Sequence, residues 1–506
     1  MNVAELLLSR GSADAPVLVE NTGVTTYAEL RRGVSAVAAW IGSKALEPGS
    51  RIGILAENGG FFVKAYLGII HAGMVAVPLN TDVTPEGSVE ILRSADASVV
   101  LASSRQALRL ARSGSVPSCP VANEKTFSEV TKYQPAAPVS CAEDLAALMF
   151  TSGTNGKAKG VKVTHRNIES NTRDIVAYLG LSESDRALLV LPLHYCFGLS
   201  VLHTHLLAGG TVVINNRFLY PETVLQDIVG HGCTGLAGVP STYQILLRQS
   251  RFKEAALPTL RSIQQAGGRL PNSLIEELRR AHPQARFFTM YGQTEATARL
   301  SYLPPERLAD KLGSIGKGLV STRLEVLKSD GQPVRPGSEE VGEIVASGAN
   351  ICTGYWNDAE ETARYFRDGK LFTGDLARVD AEGFIYIVDR ERDMIKCGGN
   401  RVSPKKIEEV IAGHPEVVEA AVIGLPHDTL GEAITAFVVT THGAQLLAED
   451  LRTLCRRALP PYEVPAEVQF VTDLPHNSSG KVMKHELRRR RLQIHLNQTP
   501  AVSCEC

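Results

Sequence analysis

The sequence lacks a strong net charge and a framework of paired cysteines. Its 53 Lys and Arg residues nearly balance its 54 Asp and Glu residues, which leaves a formal net charge of −1. No charge field of one sign steers the chain toward nucleic acid or an acidic membrane, and we expect neither as a partner. The nine cysteines are odd in number and scattered, which argues against disulfides and favours a reducing, cytoplasmic compartment.

Long apolar segments and paired metal-binding motifs are also missing. The longest apolar stretch, Phe61–Leu79, is interrupted by Lys64 and His71, so a buried helix followed by a strand explains it better than a membrane span. The first ten residues lack the basic start and long apolar core of a signal peptide. No C-x-x-C motif pairs with a second one, so we expect no zinc site.

What is present predicts an α/β fold of more than one domain, because 506 residues are too many for one core. Short apolar strands alternate with helical patterns over residues 24–112 and again over 167–250, which predicts two doubly wound, largely parallel sheets. Four prolines over residues 113–139 predict a surface excursion between them. Three short strands over residues 324–388 predict a small β-rich subdomain.

The C-terminal part has a pattern of its own. From Pro404 onward, helices and strands alternate at a spacing that predicts one compact α+β module. Five charged residues in a row, Asp389–Asp393, precede this module. We therefore predict an N-terminal domain over residues 1–389, a hinge over 390–393 and a smaller C-terminal domain over 394–506.

A glycine-rich loop over residues 150–161 is the most informative stretch. It follows an apolar strand over Asp144–Met149 and reads FTSGTNGKAKGV. Glycine lets the backbone approach a ligand, while hydroxyls and lysines supply donors and positive charge, so the loop suits a polyphosphate. It differs from the nucleotide-binding spacing G-x-x-x-x-G-K-[ST], because no hydroxyl residue follows a Gly-Lys pair. Taken alone, the loop also fits a surface turn.

Two later motifs place single carboxylates where nucleotide chemistry could use them. Residues 291–295 put Glu295 just beyond a strand, where it could bind Mg²⁺ bridging phosphates. Residues 373–375 predict a tight turn ending in Asp375, which could accept hydrogen bonds from two ribose hydroxyls. Each motif alone is equally typical of a solvated turn.

Two further motifs lie near and beyond the predicted hinge. Residues 389–400 join the charged run to the turn Gly398-Gly399. Residues 477–481 place Lys481 directly after a glycine.

Together and in this order, the five motifs resemble those of the adenylate-forming superfamily: acyl-CoA synthetases, nonribosomal peptide adenylation domains and luciferases. The family's phosphate loop reads roughly [FY]-T-S-G-[ST]-T-G-x-P-K-G, and residues 150–160 match it except at Asn155 and Ala158. Proline would fix φ, so Ala158 predicts a more mobile loop. The resemblance runs from about residue 20 to 487 and is closest to a stand-alone acyl-CoA or acyl-carrier-protein ligase.

The resemblance implies a two-step reaction. A carboxylate attacks the α-phosphate of ATP, giving an acyl-AMP and pyrophosphate, and a thiol then displaces AMP to give a thioester. The implied cofactors are ATP and Mg²⁺, with coenzyme A or the phosphopantetheine of a carrier protein as acceptor. The implied architecture is a large N-terminal domain and a small mobile C-terminal domain, which rotates between the two half-reactions.

The resemblance also implies roles for single residues. Lys481 would bridge the carboxylate and the α-phosphate, Glu295 would bind Mg²⁺, and Thr294 would touch the α-phosphate. Arg392 stands at the hinge position, where Asp or Lys is more usual, and the turn Gly398-Gly399 would meet the thiol. The residues implied in binding ATP are Thr151, Ser152, Gly153, Thr154, Gly156, Lys159, Gly160, Gly267, Gly268, Tyr291, Gly292, Asp375 and Arg390.

The acyl pocket is implied by residues 192–199. The family segment often reads P-L-[FY]-H-x-x-G, and here His194 and Tyr195 stand in swapped order. The implied pocket residues are His194, Tyr195, Cys196 and Gly198. Amino-acid-activating members commonly carry Asp in this segment, which has no carboxylate here. Because an unpaired ammonium is costly to bury, we expect a fatty, hydroxy or aryl acid without a free α-amino group, unless a carboxylate elsewhere in the chain serves.

Alternatives stay open for the function and for the acceptor. The chain could be an amino-acid-adenylating enzyme that loads a peptidyl carrier protein, or a light-emitting relative. It could also be a non-catalytic member, although Glu295, Asp375 and Lys481 are all present. The basic run Arg488–Arg491 could contact the 3′-phosphate of coenzyme A or an acidic carrier protein, or could form a solvated helix end.

Overall fold

The computed structural model of the protein describes residues 1–128, 142–152, 158–390, 393–427, 429–476, 482–489 and 491. The helices are α1 (Val3–Leu7), α2 (Tyr27–Gly42), α3 (Gly60–His71), α4 (Pro85–Ser94), α5 (Ser104–Ser113), α6 (Glu124–Ser128), α7 (His165–Leu179), α8 (Cys196–Ala208), α9 (Glu222–His231), α10 (Pro240–Gln249), α11 (Asn272–Ala281), α12 (Ala359–Tyr365), α13 (Pro404–Ala412) and α14 (Ala448–Ala458). In the described part of the chain, no helix has both the length and the apolar character needed to cross a membrane.

The strands follow the same chain order. They are β1 (Pro16–Glu20), β2 (Gly23–Thr26), β3 (Arg51–Leu55), β4 (Val75–Pro78), β5 (Ala97–Ala102), β6 (Val121–Ala122), β7 (Leu145–Ser152), β8 (Ala158–Thr164), β9 (Arg186–Leu189), β10 (Thr211–Ile214), β11 (Gly235–Gly238), β12 (Ser262–Gln265), β13 (Arg286–Tyr291), β14 (Ser301–Leu303), β15 (Lys317–Gly318), β16 (Thr322–Leu327), β17 (Gly342–Gly348), β18 (Phe366–Arg367), β19 (Lys370–Val379), β20 (Ile385–Arg390), β21 (Ile395–Cys397), β22 (Asn400–Val402), β23 (Val417–His427), β24 (Gly431–Thr440) and β25 (Glu467–Phe470).

Two large sheets form the N-terminal part, as the alternating pattern predicts. The first has the order β6-β5-β3-β4-β7-β8, and its strands are parallel except for the antiparallel pair β7–β8. The second has the order β15-β14-β13-β12-β11-β9-β10-β1-β2, with parallel pairing from β1 to β13. The chain's first two strands thus join the edge of the second sheet rather than the sheet that follows them in sequence.

Helices α3 and α8 lie in the core between these sheets. Their side chains belong to one buried cluster that also contains residues of β3 and β9. Helix α8 is buried on nearly every side, from Phe197 to Ala208, as a helix enclosed by two sheets must be. Helix α2 packs against α3, and its N-cap residue Thr26 forms a capping box with Glu29.

The β-rich subdomain has five strands in the order β16-β17-β19-β18, with β20 paired to β19. The prediction of a tight turn over residues 373–375 is wrong. These residues lie inside the ten-residue strand β19, whose pairing with β17 shifts register opposite them. Gly374 has φ +73°, which a glycine adopts without steric cost, so the strand bends locally and continues.

The C-terminal part has its own sheet, β22-β21-β24-β23 with β25 on β24, and its own buried clusters. The predicted alternation of helices and strands is observed there, beginning with α13 and continuing with β23 and β24. Asp389 of the charged run is fully buried in β20, where its carboxylate accepts a 2.6 Å hydrogen bond from the Ser403 hydroxyl. The charged run therefore begins inside the core rather than in solvent.

The surface excursion predicted over residues 113–139 is only partly correct. Helix α5 ends at Ser113, and the short elements β6 and α6 follow it. Residues 129–141 lie outside the described part of the chain.

Candidate functional site

The described ends of the glycine-rich loop belong to the paired strands β7 and β8. Phe150 pairs with Gly160 and Thr151 pairs with Lys159 across the two strands. A Cβ on Gly160 would come within 3.0 Å of the Phe150 ring, so this position favours glycine. Gly153, Thr154, Asn155 and Gly156, predicted at the tip, lie outside the described residues, as does the Ser152 side chain.

Lys159 is already held in place at the base of this loop. Its ammonium forms an ion pair with Glu361 on α12, and it lies 5.6 Å from the centroid of the Tyr355 ring. Both partners lie about 200 residues away in sequence, and neither belongs to a predicted motif. The Lys159 ammonium is therefore positioned by Tyr355 and Glu361, which lie between strands β17 and β18 of the β-rich subdomain.

Glu295 lies on the same side, in a single turn of 3₁₀ helix directly after β13. The Tyr355 hydroxyl donates a 2.9 Å hydrogen bond to Glu295 Oε1, and the Cys352 amide donates to the Glu295 carbonyl at 3.0 Å. Burial raises the pKa of Tyr355, so the phenol keeps its proton and remains a donor. Lys159, Tyr355 and Glu295 thus form one connected group.

This arrangement fits a magnesium ion bound with ATP. The Glu295 carboxylate is partly exposed and is oriented by the Tyr355 hydroxyl. Mg²⁺ prefers such hard oxygen ligands, and phosphates and water would complete its coordination shell. In the described part of the chain, no cluster of three or more acidic, His or Cys side chains would hold a metal by itself. One carboxylate beside a phosphate loop is what a shared protein–phosphate site requires.

Thr294 connects this group to α8. Its hydroxyl lies 3.4 Å from the Cys196 sulfur at the first residue of that helix. Thr294 is buried, and its carbonyl accepts a contact from the Cys352 thiol at 3.5 Å. The predicted α-phosphate residue and the predicted pocket residue are therefore direct neighbours.

Asp375 is brought to β13 by the bend in β19. The Tyr291 hydroxyl donates a 2.6 Å hydrogen bond to Asp375 Oδ2, and the aspartate is only 3% exposed. The adjacent Gly292 admits no side chain, because a Cβ would lie 2.0 Å from the Ala298 carbonyl oxygen. Two motifs that are 84 residues apart in sequence thus meet directly.

Gly267 and Gly268 follow the neighbouring strand β12. Gly267 has φ +87°, and the Gly268 carbonyl accepts a 2.6 Å hydrogen bond from the side-chain amide of Gln265. Strands β12 and β13 are adjacent and parallel, so these glycines and Tyr291-Gly292 lie at the same edge of the sheet.

The predicted pocket segment turns from β9 into α8. Gly198 is required there, because a Cβ would lie 2.2 Å from the Pro192 carbonyl oxygen. His194 is half-buried, its buried Nε2 has no hydrogen-bond partner among the described residues, and desolvation lowers its pKa to about 4. Tyr195 precedes the helix as its N-terminal flanking residue. His205 Nδ1 donates a 2.8 Å hydrogen bond to the Val201 carbonyl oxygen within its own helix, so this side chain is structural.

A narrow cavity lies behind Cys196, between α7 and α8. Its polar lining residues include Asn171, Ser200, His203 and Thr297. None of the described residues that line it is Asp, Glu, Lys or Arg. His203 stacks on Tyr66 with ring centroids 5.5 Å apart, and its Nε2 has no partner among the described residues. The structure therefore places His203 in the cavity wall.

The C-terminal residues are only partly described. Gly398 and Gly399 form the turn between β21 and β22, both with positive φ. Arg392 and Lys481 lie outside the described residues, and so does the side chain of Arg390. Arg488, Arg489 and Arg491 each contact another part of the C-terminal region, namely the Gly424 carbonyl, Glu486 and Glu467. The basic run is therefore engaged within the fold.

Comparison with known proteins agrees with this geometry. Residues 9–356 match the AMP-binding enzyme family, and residues 406–481 match the AMP-binding enzyme C-terminal domain. The chain is 34% identical over 486 residues to a feruloyl-CoA synthase of an Amycolatopsis species, covering 95% of this chain and 97% of that protein. It is 35% identical over 467 residues to 2-succinylbenzoate–CoA ligase of Bacillus velezensis, covering 92% and 93%.

A solved structure is similar over nearly the whole chain. The o-succinylbenzoate-CoA synthetase of Bacillus subtilis, bound to its acyl-adenylate intermediate, has a TM-score of 0.84 at 30% identity and covers 96% of this chain and 98% of its own. The same enzyme has been solved with ATP and a magnesium ion.

The chain therefore belongs to the AMP-binding enzyme family, within the adenylate-forming superfamily. It is an AMP-forming acid–thiol ligase of the acyl-CoA synthetase type. It uses ATP and Mg²⁺ to activate a carboxylic acid as an acyl-AMP, which is then joined to a thiol.

Proposed function

We propose that this ligase activates a carboxylic acid without a free α-amino group and transfers it to coenzyme A. The observation that carries the proposal is the absence of any carboxylate among the described residues lining the cavity beside Cys196 and Thr297. A substrate ammonium there would be buried without a counter-ion, at a cost of several kcal/mol. The uncharged and mostly apolar lining suits an acyl or aryl group instead.

The roles of single residues follow from their contacts. Glu295, oriented by Tyr355, binds Mg²⁺, and Lys159 with Thr151 and Gly160 supports the phosphates. Thr294 lies next to Cys196, so it meets the α-phosphate where the acyl group enters. Asp375, held by Tyr291, binds the ribose, and Gly267-Gly268 with Gly292 border the adenine.

The remaining roles fall on the C-terminal domain, which we place at residues 394–506 after a hinge at 390–393. Two buried clusters made only of residues from 395 to 487 support this boundary, and a 2.6 Å ion pair between Arg269 and Glu409 joins the two domains. Lys481 completes the adenylation site and the turn Gly398-Gly399 meets the thiol. Arg390 supports the ribose, and Arg392 is the residue about which the domain turns.

Coenzyme A is favoured over a carrier protein as acceptor. The feruloyl-CoA and 2-succinylbenzoate–CoA relatives both act with coenzyme A by name. The described arginines of the basic run contact their own domain, so they do not distinguish the two acceptors. The six described free cysteines support a reducing, cytoplasmic location.

The test is a pyrophosphate-release assay with a panel of fatty, hydroxy, aryl and amino acids. Each acid is paired with coenzyme A or with a phosphopantetheinylated carrier protein. We expect release with acids that lack an α-amino group, and thioester formation with coenzyme A. Release with amino acids alone, or acyl transfer to the carrier protein alone, would overturn the proposal.

A further inference from the structure

Arg299 carries a positive charge inside the protein, beyond every motif that the sequence singles out. It lies between the 3₁₀ turn of Glu295 and strand β14, and it is 2% exposed. Its backbone is fixed on both sides by Asn171, which accepts a hydrogen bond from the Arg299 amide at 3.1 Å and donates one to the Arg299 carbonyl at 2.7 Å. The backbone that carries the guanidinium is therefore fixed.

The partners of this guanidinium are all neutral. Nε donates to the Tyr178 hydroxyl at 3.3 Å, and Nη2 donates to the Ser200 hydroxyl at 3.5 Å. The central carbon lies 4.6 Å from the centroid of the Phe197 ring. In the described part of the chain, no carboxylate forms an ion pair with Arg299, and its Nη1 donates to no acceptor.

A buried charge of this kind is costly unless it is paired. Removing a guanidinium from water costs several kcal/mol, and two long hydrogen bonds with one ring face recover only part of that. Arginine also presents its donors as a fork that matches a carboxylate in two parallel bonds. By contrast, the buried Arg248 has this pairing, because it donates to both oxygens of Glu277 at 2.8 and 3.0 Å.

The position of Arg299 relates it to the acyl site. Ser200 and Phe197 lie on α8, within four residues of Cys196, which contacts Thr294. Ser200, Asn171 and the adjacent residue Ala298 line the cavity behind Cys196. The same cavity is lined by His203, whose Nε2 is buried without a partner among the described residues. The Arg299 guanidinium therefore lies directly behind the cavity wall, next to the Ser200 hydroxyl, while Cys196 in the same wall contacts Thr294.

We propose that Arg299 is a specificity-determining residue that binds a second acidic group at the far end of the substrate, so that the substrate is a dicarboxylic acid. The carboxylate near Thr294 is activated, and the distal one receives the fork of Arg299. The ion pair forms only when substrate is bound, and no carboxylate of the described residues pairs with Arg299 in the free protein. The inference rests on the proposed function, since it requires that the cavity beside Cys196 holds the acyl group.

The first test uses the unaltered enzyme and matched pairs of acids. Within each pair the chain or ring is the same, and the two acids differ only at the distal end. One carries a carboxylate there, and the other carries its methyl ester or a methyl group. We expect kcat/KM for pyrophosphate release to be about 10- to 100-fold higher for the diacids, the range for a hydrogen-bonded charge pair. Equal or higher values for the methyl-ended acids would overturn the inference.

The second test compares Arg299→Met with Arg248→Met. Both remove a buried guanidinium, but Arg248 lies in the cluster around α10 and α11, away from the acyl cavity. Arg299→Met should lose the preference for diacids and leave the KM for ATP unchanged, whereas Arg248→Met should keep the preference. A thermal melt with and without MgATP identifies a variant that fails to fold, in which case Arg299→Lys, which keeps the charge but loses the fork, should reduce the preference.

The outcomes separate the two proposals. If diacids are preferred and Arg299→Met abolishes that preference, both stand. If acids react without regard to their distal end in the wild type and in Arg299→Met, the guanidinium is structural and only this inference fails. If only amino acids react, the proposed function fails as well.

Discussion

Replacing Tyr355 with Phe removes one oxygen atom from the centre of the site and leaves the ring in place. In the wild-type protein this oxygen donates a 2.9 Å hydrogen bond to Glu295 Oε1, and the ring is 6% exposed. The ring face also lies beside the Lys159 ammonium, a contact that Phe retains. The variant therefore isolates the hydroxyl that orients the proposed magnesium ligand.

The size of the effect follows from the geometry. A hydrogen bond to a charged acceptor is worth about 1.5–3 kcal/mol, and part of that free energy is lost from the magnesium complex when Glu295 is no longer oriented. We expect the Mg²⁺ concentration for half-maximal pyrophosphate release to rise about 10- to 100-fold. The rate at saturating Mg²⁺ should fall much less, because the ligand itself is intact.

The assay is a magnesium titration at saturating ATP and acid. Tyr365→Phe is the matched control, because the Tyr365 ring packs edge-on against Tyr355 with centroids 6.3 Å apart. That variant should leave the titration unchanged. A Tyr355→Phe titration that superimposes on the wild type would refute the role given to Tyr355 in positioning Glu295.

Three further predictions concern ribose binding, the half-reactions and pH. Asp375→Asn should raise the KM for ATP about tenfold or more, measured by ATP titration, because the amide accepts one strong hydrogen bond fewer; an unchanged KM would contradict the ribose role. Lys481→Ala should abolish acyl-AMP formation but spare thioester formation from preformed acyl-AMP; equal loss of both half-reactions would remove that assignment. Burial lowers the pKa of His203 to about 3, so below about pH 6.5 the unfolded chain binds a proton that the folded state excludes, and stability falls as the pH falls. His203→Phe should flatten that fall by about one proton, seen in urea unfolding at about pH 6 and pH 5, and an identical slope would contradict it.

The sequence predicted the elements better than their arrangement. The pattern of short apolar runs located most parallel strands of both sheets to within a few residues, because buried parallel strands read as continuous apolar runs, but β1, β6 and β12 were not predicted. It did not predict that β1 and β2 join the second sheet, since that pairing joins residues almost 200 positions apart. Helix α5 was missed because its pattern is mostly polar and only Gln106 and Leu110 are buried.

For the candidate site, motif residues were predicted and their supports were not. The turn expected at Asp375 is a bend within β19, because Gly-Asp is compatible with both and only strand pairing decides between them. Tyr355, Glu361 and Arg299 carry no motif of their own and come to the site through tertiary packing. A lone Tyr, Glu or Arg is far too common for its sequence position to indicate such a role.

The measurement that tests the account most directly is a crystal structure of the protein with Mg²⁺ and a non-hydrolysable ATP analogue. The account predicts the ion about 2.1 Å from a Glu295 carboxylate oxygen and the ribose hydroxyls within hydrogen-bond distance of Asp375. A nucleotide bound away from the β7–β8 hairpin, or an ion without contact to Glu295, would contradict it.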